Sequence, residues 1–222
     1  MKTIKIFGIV IIVLLLALSM TFFGCDNDST NNNDVIIVCL GDSLTAGYGA
    51  TTPSVDDKSK SYPAYLQKTT NISVINSGVS GNTTTQGLAR VDSDVLSYNP
   101  NIVIILLGAN DVFSGIPISM SQNNLQNIIN KIDNGNRKIY LAKPYTDVIA
   151  TALSISSDTI TQYNNMFFTL ATSSSNITLI NDIWDGIWGI HMSDIIHPNA
   201  KGYEIMADNI YNVIKPYLES IK

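Results

Sequence analysis

A serine stands in Gly41-Asp42-Ser43-Leu44-Thr45, directly behind Asp34–Leu40, seven residues of which six are apolar. Such a run reads as a buried strand, so Ser43 lies on the loop that leaves it. Far along the chain, Asp194-Ile195-Ile196-His197-Pro198-Asn199 sets a carboxylate three residues before an imidazole. A serine hydroxyl is a weak nucleophile until a base removes its proton. A carboxylate on the other ring nitrogen fixes the tautomer of that base and stabilises its charged form. The chain has two histidines, His191 and His197. His197 precedes Pro198, which biases its backbone to an extended conformation, and Asp194 can reach its ring across a tight turn. His191 has Asp194 equally near and Asp182 and Asp185 close by. Spacing alone therefore leaves both histidines open as the base.

Acyl transfer also needs donors aimed at the oxyanion that forms in the transition state. Gly81, in Asn76-Ser77-Gly78-Val79-Ser80-Gly81-Asn82, can offer a backbone N–H with no side chain in the way. Asn110, in Gly108-Ala109-Asn110-Asp111, can offer a side-chain amide. The N–H of Ser43 itself, at a helix start, is a third candidate. Turn formation and helix capping are ordinary uses for each of these residues taken singly. A Gly-x-Ser-x-Gly elbow is absent, which disfavours the usual α/β-hydrolase. Two histidines without paired cysteines or a His-x-x-x-His spacing give no zinc site.

These segments must be brought together by the elements around them. Asp34–Leu40, Ile72–Asn76, Asn101–Leu107, Lys138–Ala142 and Asn176–Ile180 are short runs rich in Val, Ile and Leu, the pattern of strands buried on both faces. Between them lie stripes at helical spacing: Leu88, Val91, Val95 and Leu96; Leu125, Ile128, Ile129 and Ile132; Ile160, Tyr163, Phe167 and Leu170; and Tyr203, Met206, Ala207, Ile210, Val213 and Ile214. Pro63 sits early in a further short helix, where proline is tolerated. Strands alternating with helices predict a three-layer α/β/α fold around a five-stranded parallel sheet, of flavodoxin-like type. Ligands of such sheets bind at the carboxyl ends of the strands, and the serine, glycine, asparagine and histidine segments all fall there.

Composition narrows the field. The chain has 222 residues, 45% apolar and 14% charged, with a formal net charge of −5. This suits one globular domain and disfavours a nucleic-acid partner, which needs a positive face. Of two cysteines, Cys25 and Cys39, the second falls inside the first strand and reads as a small core residue.

Gly41-Asp42-Ser43-Leu44, Gly81 within Asn76–Asn82, Asn110 within Gly108–Asp111 and Asp194-x-x-His197 resemble, in order, the four signature blocks of the SGNH (GDSL) hydrolases. Gly41–Gly49, Asn76–Arg90 and Leu107–Pro117 are most similar to the bacterial arylesterase and lysophospholipase branch. The resemblance implies that Ser43 is the nucleophile, His197 rather than His191 the base, and Asp194 its orienting partner. It makes Ser43, Gly81 and Asn110 the oxyanion donors, Asp111 structural, and Asp42 a shaper of the nucleophile loop. Ile195 stands where many relatives have glycine, a difference of turn geometry. The implied activity is that of a serine esterase acting through an acyl-enzyme on short-chain acyl esters or lysophospholipids, with no cofactor or metal. A carbohydrate O-acetyl esterase of the same fold, or a catalytically silent lipid-anchored binding protein, are the alternatives. Residues 144–158 match no block and are expected to help wall the substrate site.

The first 33 residues have another character. Lys2 and Lys5 precede an apolar run from Ile6 to Phe23, the pattern of an export signal, and Gly24-Cys25 ends it as a lipid-modified cysteine does in bacterial lipoproteins. Residues 1–24 thus read as a signal peptide or membrane anchor, 25–33 as a polar tether, and 34–222 as the catalytic domain. The protein is expected outside the cytoplasm, on the membrane; an uncleaved anchor or release after cleavage are the alternatives. Acylation of Cys25 is tested by mass spectrometry of the native N-terminal peptide. A diacyl mass increment on that residue is expected, with release of the Cys25→Ala variant from the membrane fraction; an unmodified thiol there would refute it.

Overall fold

The computed structural model describes residues 35–144, 150, 151 and 153–221. Residues 1–34, which hold the expected signal segment, Cys25 and the expected tether, lie outside them.

Five strands form one all-parallel sheet: β1 (Ile36–Gly41), β2 (Ser73–Gly78), β3 (Ile102–Leu106), β4 (Lys138–Ala142) and β5 (Ile177–Ile180), in the order β2-β1-β3-β4-β5. Each coincides with an apolar run of the sequence, shifted by at most two residues at an end. The helices are α1 (Ser43–Ala46), α2 (Tyr62–Thr70), α3 (Thr84–Ala89), α4 (Val91–Asp94), α5 (Ala109–Phe113), α6 (Ile118–Ile132), α7 (Ser157–Ala171) and α8 (Ala200–Ser220). Side chains alternate between the faces of a strand, and here the alternation feeds two cores. Ile37, Cys39, Ile102, Ile104 and Tyr140 pack with Tyr62 and Leu66 of α2 and Tyr203, Met206, Ile210 and Ile214 of α8. Val38, Leu40, Val103, Ile105, Ile139 and Leu141 pack on the other face with Val91, Val95, Leu125, Ile128, Ile132, Phe167 and Leu170. These are the three layers that the sequence predicts. Cys39 is fully buried, and burial pushes its thiol up to about 12, so it remains protonated.

One stripe differs from its expected form. Leu88, Val91, Val95 and Leu96 do not share a continuous helix: the chain leaves helical geometry at Arg90 (φ −113°, ψ 10°) and again at Val95. Gly87 brings α3 against the Leu107 side chain, where a Cβ would stand 2.4 Å from Leu107 Cδ1. The turns that follow carry Val91 and Val95 fully into the core. Packing on the sheet overrides helical continuity.

At the carboxyl edge, β2 ends against the nucleophile helix. Gly78 pairs with Gly41 in the sheet, and a Cβ on Gly78 would stand 2.3 Å from Ala46 N and 2.6 Å from Thr45 C. Both are backbone atoms that cannot turn aside. Gly78→Ala is therefore expected to push α1 off the sheet and cost about 1–3 kcal/mol of stability, measured by urea unfolding. A wild-type midpoint in that variant would show that α1 is not packed as described.

Candidate functional site

Ser43 is the first residue of α1, and Asp42 is its N-cap. The Asp42 carboxylate accepts from Leu44 N at 3.1 Å, and the short helix closes at Gly47 in the left-handed region. Gly41, Asp42, Thr45 and Ala46 are buried and Ser43 is half-buried, so the hydroxyl is the part of this turn that faces outward.

His197 comes to it from the segment between β5 and α8. Its Nε2 lies 3.0 Å from Ser43 Oγ, and its Nδ1 lies 2.8 and 3.0 Å from the two Asp194 oxygens. An ionised carboxylate can only accept, so Nδ1 carries the proton and Nε2 is left to accept from the serine hydroxyl. The turn that presents the pair is closed on itself. Ser193 N donates to His197 O at 2.8 Å, and Ile196 N and His197 N donate to Asp194 Oδ1 at 2.8 and 2.7 Å. Partial burial opposes ionisation of Asp194. The Ile196 N–H, the imidazole and the His197 N–H outweigh it and hold the carboxyl below its ordinary range. Asp194 remains partly in water, its side chain 46% exposed against 11% for His197. The ring of His191 makes no hydrogen bond to Ser43 or Asp194; its carbonyl accepts from Asn199 N at 2.9 Å. Asn199 in turn caps α8 through Gly202 N.

Ser43, Asn110 and His197 line one pocket of about 300 Å³ that opens to solvent. Among the described residues its other walls are Leu44, Ala109, Phe113, Pro144, Trp184 and Ile196, all apolar. Trp184 is buried; its indole N–H donates to Pro144 O at 3.2 Å, and it stacks on Trp188 with centroids 5.9 Å apart. Of the segment 144–158 expected to wall the site, residues 145–149 and 152 lie outside the described residues; Pro144 lines the pocket, whereas Leu153 and Ile155 pack on the core and Ser156 caps α7.

Gly81 is not among the pocket walls. It stands on the neighbouring loop at φ +80°, with open space around the position a Cβ would take. That loop is tied to the nucleophile strand by Val79 N on Gly41 O at 3.1 Å, and to Asn110 by its amide on Asn82 O at 3.0 Å. The N–H groups of Ser43 and Gly81 have no hydrogen-bond partner among the described residues. Such donors, already fixed in direction, are what a developing oxyanion requires. The Asn110 amide also lies 3.4 Å from Asp42 Oδ2. Asp111 lies apart from the reacting groups, fully buried, accepting from Thr84 N, Thr84 Oγ1 and Ser121 Oγ.

Two residues at the site carry no motif signal. The Tyr48 ring leans on His197 with centroids 4.5 Å apart, and Tyr203 OH donates to Tyr48 O at 2.9 Å. Arg90 spans the base of both loops, as described below. Tyr48 and Arg90 fall within the similar stretches Gly41–Gly49 and Asn76–Arg90, but the sequence assigns neither a role.

Fold and site together define an α/β/α serine hydrolase that acts on ester bonds. Residues 39–205 match the model of the GDSL-like Lipase/Acylhydrolase family. An arylesterase of Vibrio mimicus is 33% identical over 129 residues, 56% of this chain and 61% of that enzyme, so the match spans less than two thirds of it. Esterase TesA of Pseudomonas aeruginosa is 25% identical over 190 residues, covering 82% of this chain and 89% of its own. The crystal structure of the psychrotrophic esterase EstA from Pseudoalteromonas sp., inhibited by monoethylphosphonate, superposes with a TM-score of 0.69 at 27% identity, covering 84% of this chain and 100% of that one. The chain belongs to the GDSL-like lipase/acylhydrolase family.

Asp42 generates a pH prediction. Burial is the main force on it, with the Asp111 charge adding to that; the Leu44 N–H and Arg90 oppose them, and the carboxyl is pushed up from 3.8 to about 7. The native state then holds a proton that the unfolded chain has released, so this group's contribution to stability falls as pH rises from about 4 to about 7. Asp42→Asn keeps an acceptor for Leu44 N but cannot ionise. Urea unfolding across that range is expected to show wild type losing stability relative to the variant as pH rises. Parallel curves would show that Asp42 ionises normally.

Proposed function

We propose that this protein is a serine carboxylesterase that hydrolyses short-chain acyl esters or lysophospholipids through an acyl-enzyme. The reading rests above all on the Ser43–His197–Asp194 chain of contacts, 3.0 and 2.8 Å long. Ser43 Oγ attacks the ester carbonyl carbon and its proton passes to His197 Nε2. Asp194 holds the imidazolium that results. The N–H groups of Ser43 and Gly81 and the Asn110 amide receive the oxyanion. Collapse of the tetrahedral intermediate breaks the bond to the alcohol, which leaves with the proton from His197. Water, deprotonated by the same ring, then attacks the acyl-serine and the acid departs. Apolar walls favour an acyl or aryl group in the pocket over a sugar, whose hydroxyls would lose their partners there.

The site is proposed to work at the outer face of a membrane, with Cys25 carrying lipid; the support is the Lys2/Lys5 segment, the Ile6–Phe23 run and the polar tether. Two acyl chains anchor stably where one does not.

Turnover of a p-nitrophenyl ester series by the full chain in detergent tests the activity. Ser43→Ala is expected to lower kcat by about 10⁴-fold or more, and the chain-length profile reports the acyl group the pocket takes. A confined acetyl preference would redirect the reading to O-deacetylation. Equal rates for wild type and Ser43→Ala would end it, as would a wild type inert toward every ester and a fluorophosphonate probe.

A further inference from the structure

Arg90 reaches from the break between α3 and α4 to the underside of the site. Its side chain is 15% exposed and four hydrogen bonds hold it. Nη2 donates to Gly41 O at 2.8 Å, Nη1 to Ser77 O at 2.7 Å and to Asp94 Oδ2 at 2.9 Å, and Nε to Asn82 Oδ1 at 2.8 Å. Gly41 lies two residues before the nucleophile. Ser77 and Asn82 bracket the loop that carries Gly81. One rigid, planar group thus touches both the strand end that delivers Ser43 and the two ends of the oxyanion loop.

The other bonds of these loops converge on the same point. Gly41 O also accepts from Val79 N at 3.1 Å, and Ser77 Oγ donates to Asp94 O at 2.7 Å. Asn82, gripped at its side chain by Arg90, offers its main-chain carbonyl to the Asn110 amide at 3.0 Å. All three proposed donors, the N–H groups of Ser43 and Gly81 and the amide of Asn110, therefore connect within a few bonds to one guanidinium. Gly81 itself is exposed and in a conformation that nothing around it enforces sterically. From the far side of the loop, Ser80 is held by its hydroxyl on Asp56 at the surface.

On the reading of the site given above, we infer that Arg90 is a positioning residue for catalysis: it sets the distance between the nucleophile and the oxyanion donors without touching substrate. Displacement of a reacting group by about 1 Å can cost about 10²-fold in rate, and loss of one oxyanion donor costs about 10²–10³-fold. Lysine keeps the charge but is a single point donor that cannot span the same four acceptors.

The test compares full-length wild type, Arg90→Ala, Arg90→Lys and Asn82→Ala on one p-nitrophenyl ester. Turnover by wild type and its loss in Ser43→Ala are established first, so that failure of the esterase reading is seen separately. Arg90→Ala is expected to lose about 10²-fold in kcat with KM changed less than about 3-fold. Arg90→Lys stays near the alanine variant, and free guanidinium, well below denaturing concentration, restores part of the kcat of Arg90→Ala. A purely structural role would not give that rescue. Asn82→Ala cuts only the bond from Arg90 Nε to the Gly81 loop and is expected to lose about 10-fold in kcat at constant KM; it decides the matter if Arg90→Ala does not fold. The inference is overturned if a folded Arg90→Ala turns over within about 3-fold of an active wild type, or if Asn82→Ala retains full kcat.

Discussion

The contact between His197 Nε2 and Ser43 Oγ joins residues 154 positions apart, and the architecture of the carboxyl edge exists to make it. The sheet alone does not. In the order β2-β1-β3-β4-β5 the strand preceding His197 lies three places from the strand preceding Ser43, about 14 Å at ordinary strand spacing. The chain after Ile180 must travel back across the edge before α8 begins. It is pinned on arrival to the residues just past the nucleophile helix: Ala200 N donates to Ala50 O at 2.8 Å, and Tyr203 OH to Tyr48 O at 2.9 Å. Gly49 lies against the histidine turn, where an added Cβ would stand 3.0 Å from Ser193 Oγ and 3.6 Å from His197 Cβ. His197 is located by α8 and by the 48–50 segment together, and the tilted Tyr48 ring covers one face of its imidazole.

Three aspartates around the site meet three electrostatic situations. Asp111 is fully buried, but three donors satisfy it. Asp42 is as deeply buried with one short bond, from Leu44 N, and a long approach to Asn110; desolvation therefore dominates. Asp194 keeps access to water and accepts two backbone N–H groups besides the imidazole. Unlike the setting of Asp42, this environment holds the carboxyl below its ordinary range beside the imidazole. The two buried acids tie loops together, and the half-exposed one is held against the His197 ring.

Much of this was legible in the sequence because it is local. The five strands announce themselves as apolar runs, and Asp194 meets His197 within one turn whose closure needs only the intervening peptide groups. The serine, glycine and asparagine each stand at a strand end, which parallel topology gathers on one edge whatever the helices between. Arg90, Tyr48 and Tyr203 were not legible for the opposite reason. Each acts through partners distant in sequence: 49 residues from Arg90 to Gly41, 155 from Tyr203 to Tyr48. No spacing rule reports such pairs. The break at Arg90 was hidden as well, since Leu88, Val91, Val95 and Leu96 fit one helical stripe.

The same division separates reaction from selectivity. Ser43, Asp194 and His197, the groups proposed to react, sit in short motifs held by tight turns. The apolar walls come from segments with no common pattern: Phe113 at the end of α5, Pro144 after β4, Trp184 after β5 and Ile196 between the catalytic pair. The Ile196 N–H serves Asp194 through the backbone, which a change of its side chain leaves in place. A site built this way can vary its ester while conserving its chemistry.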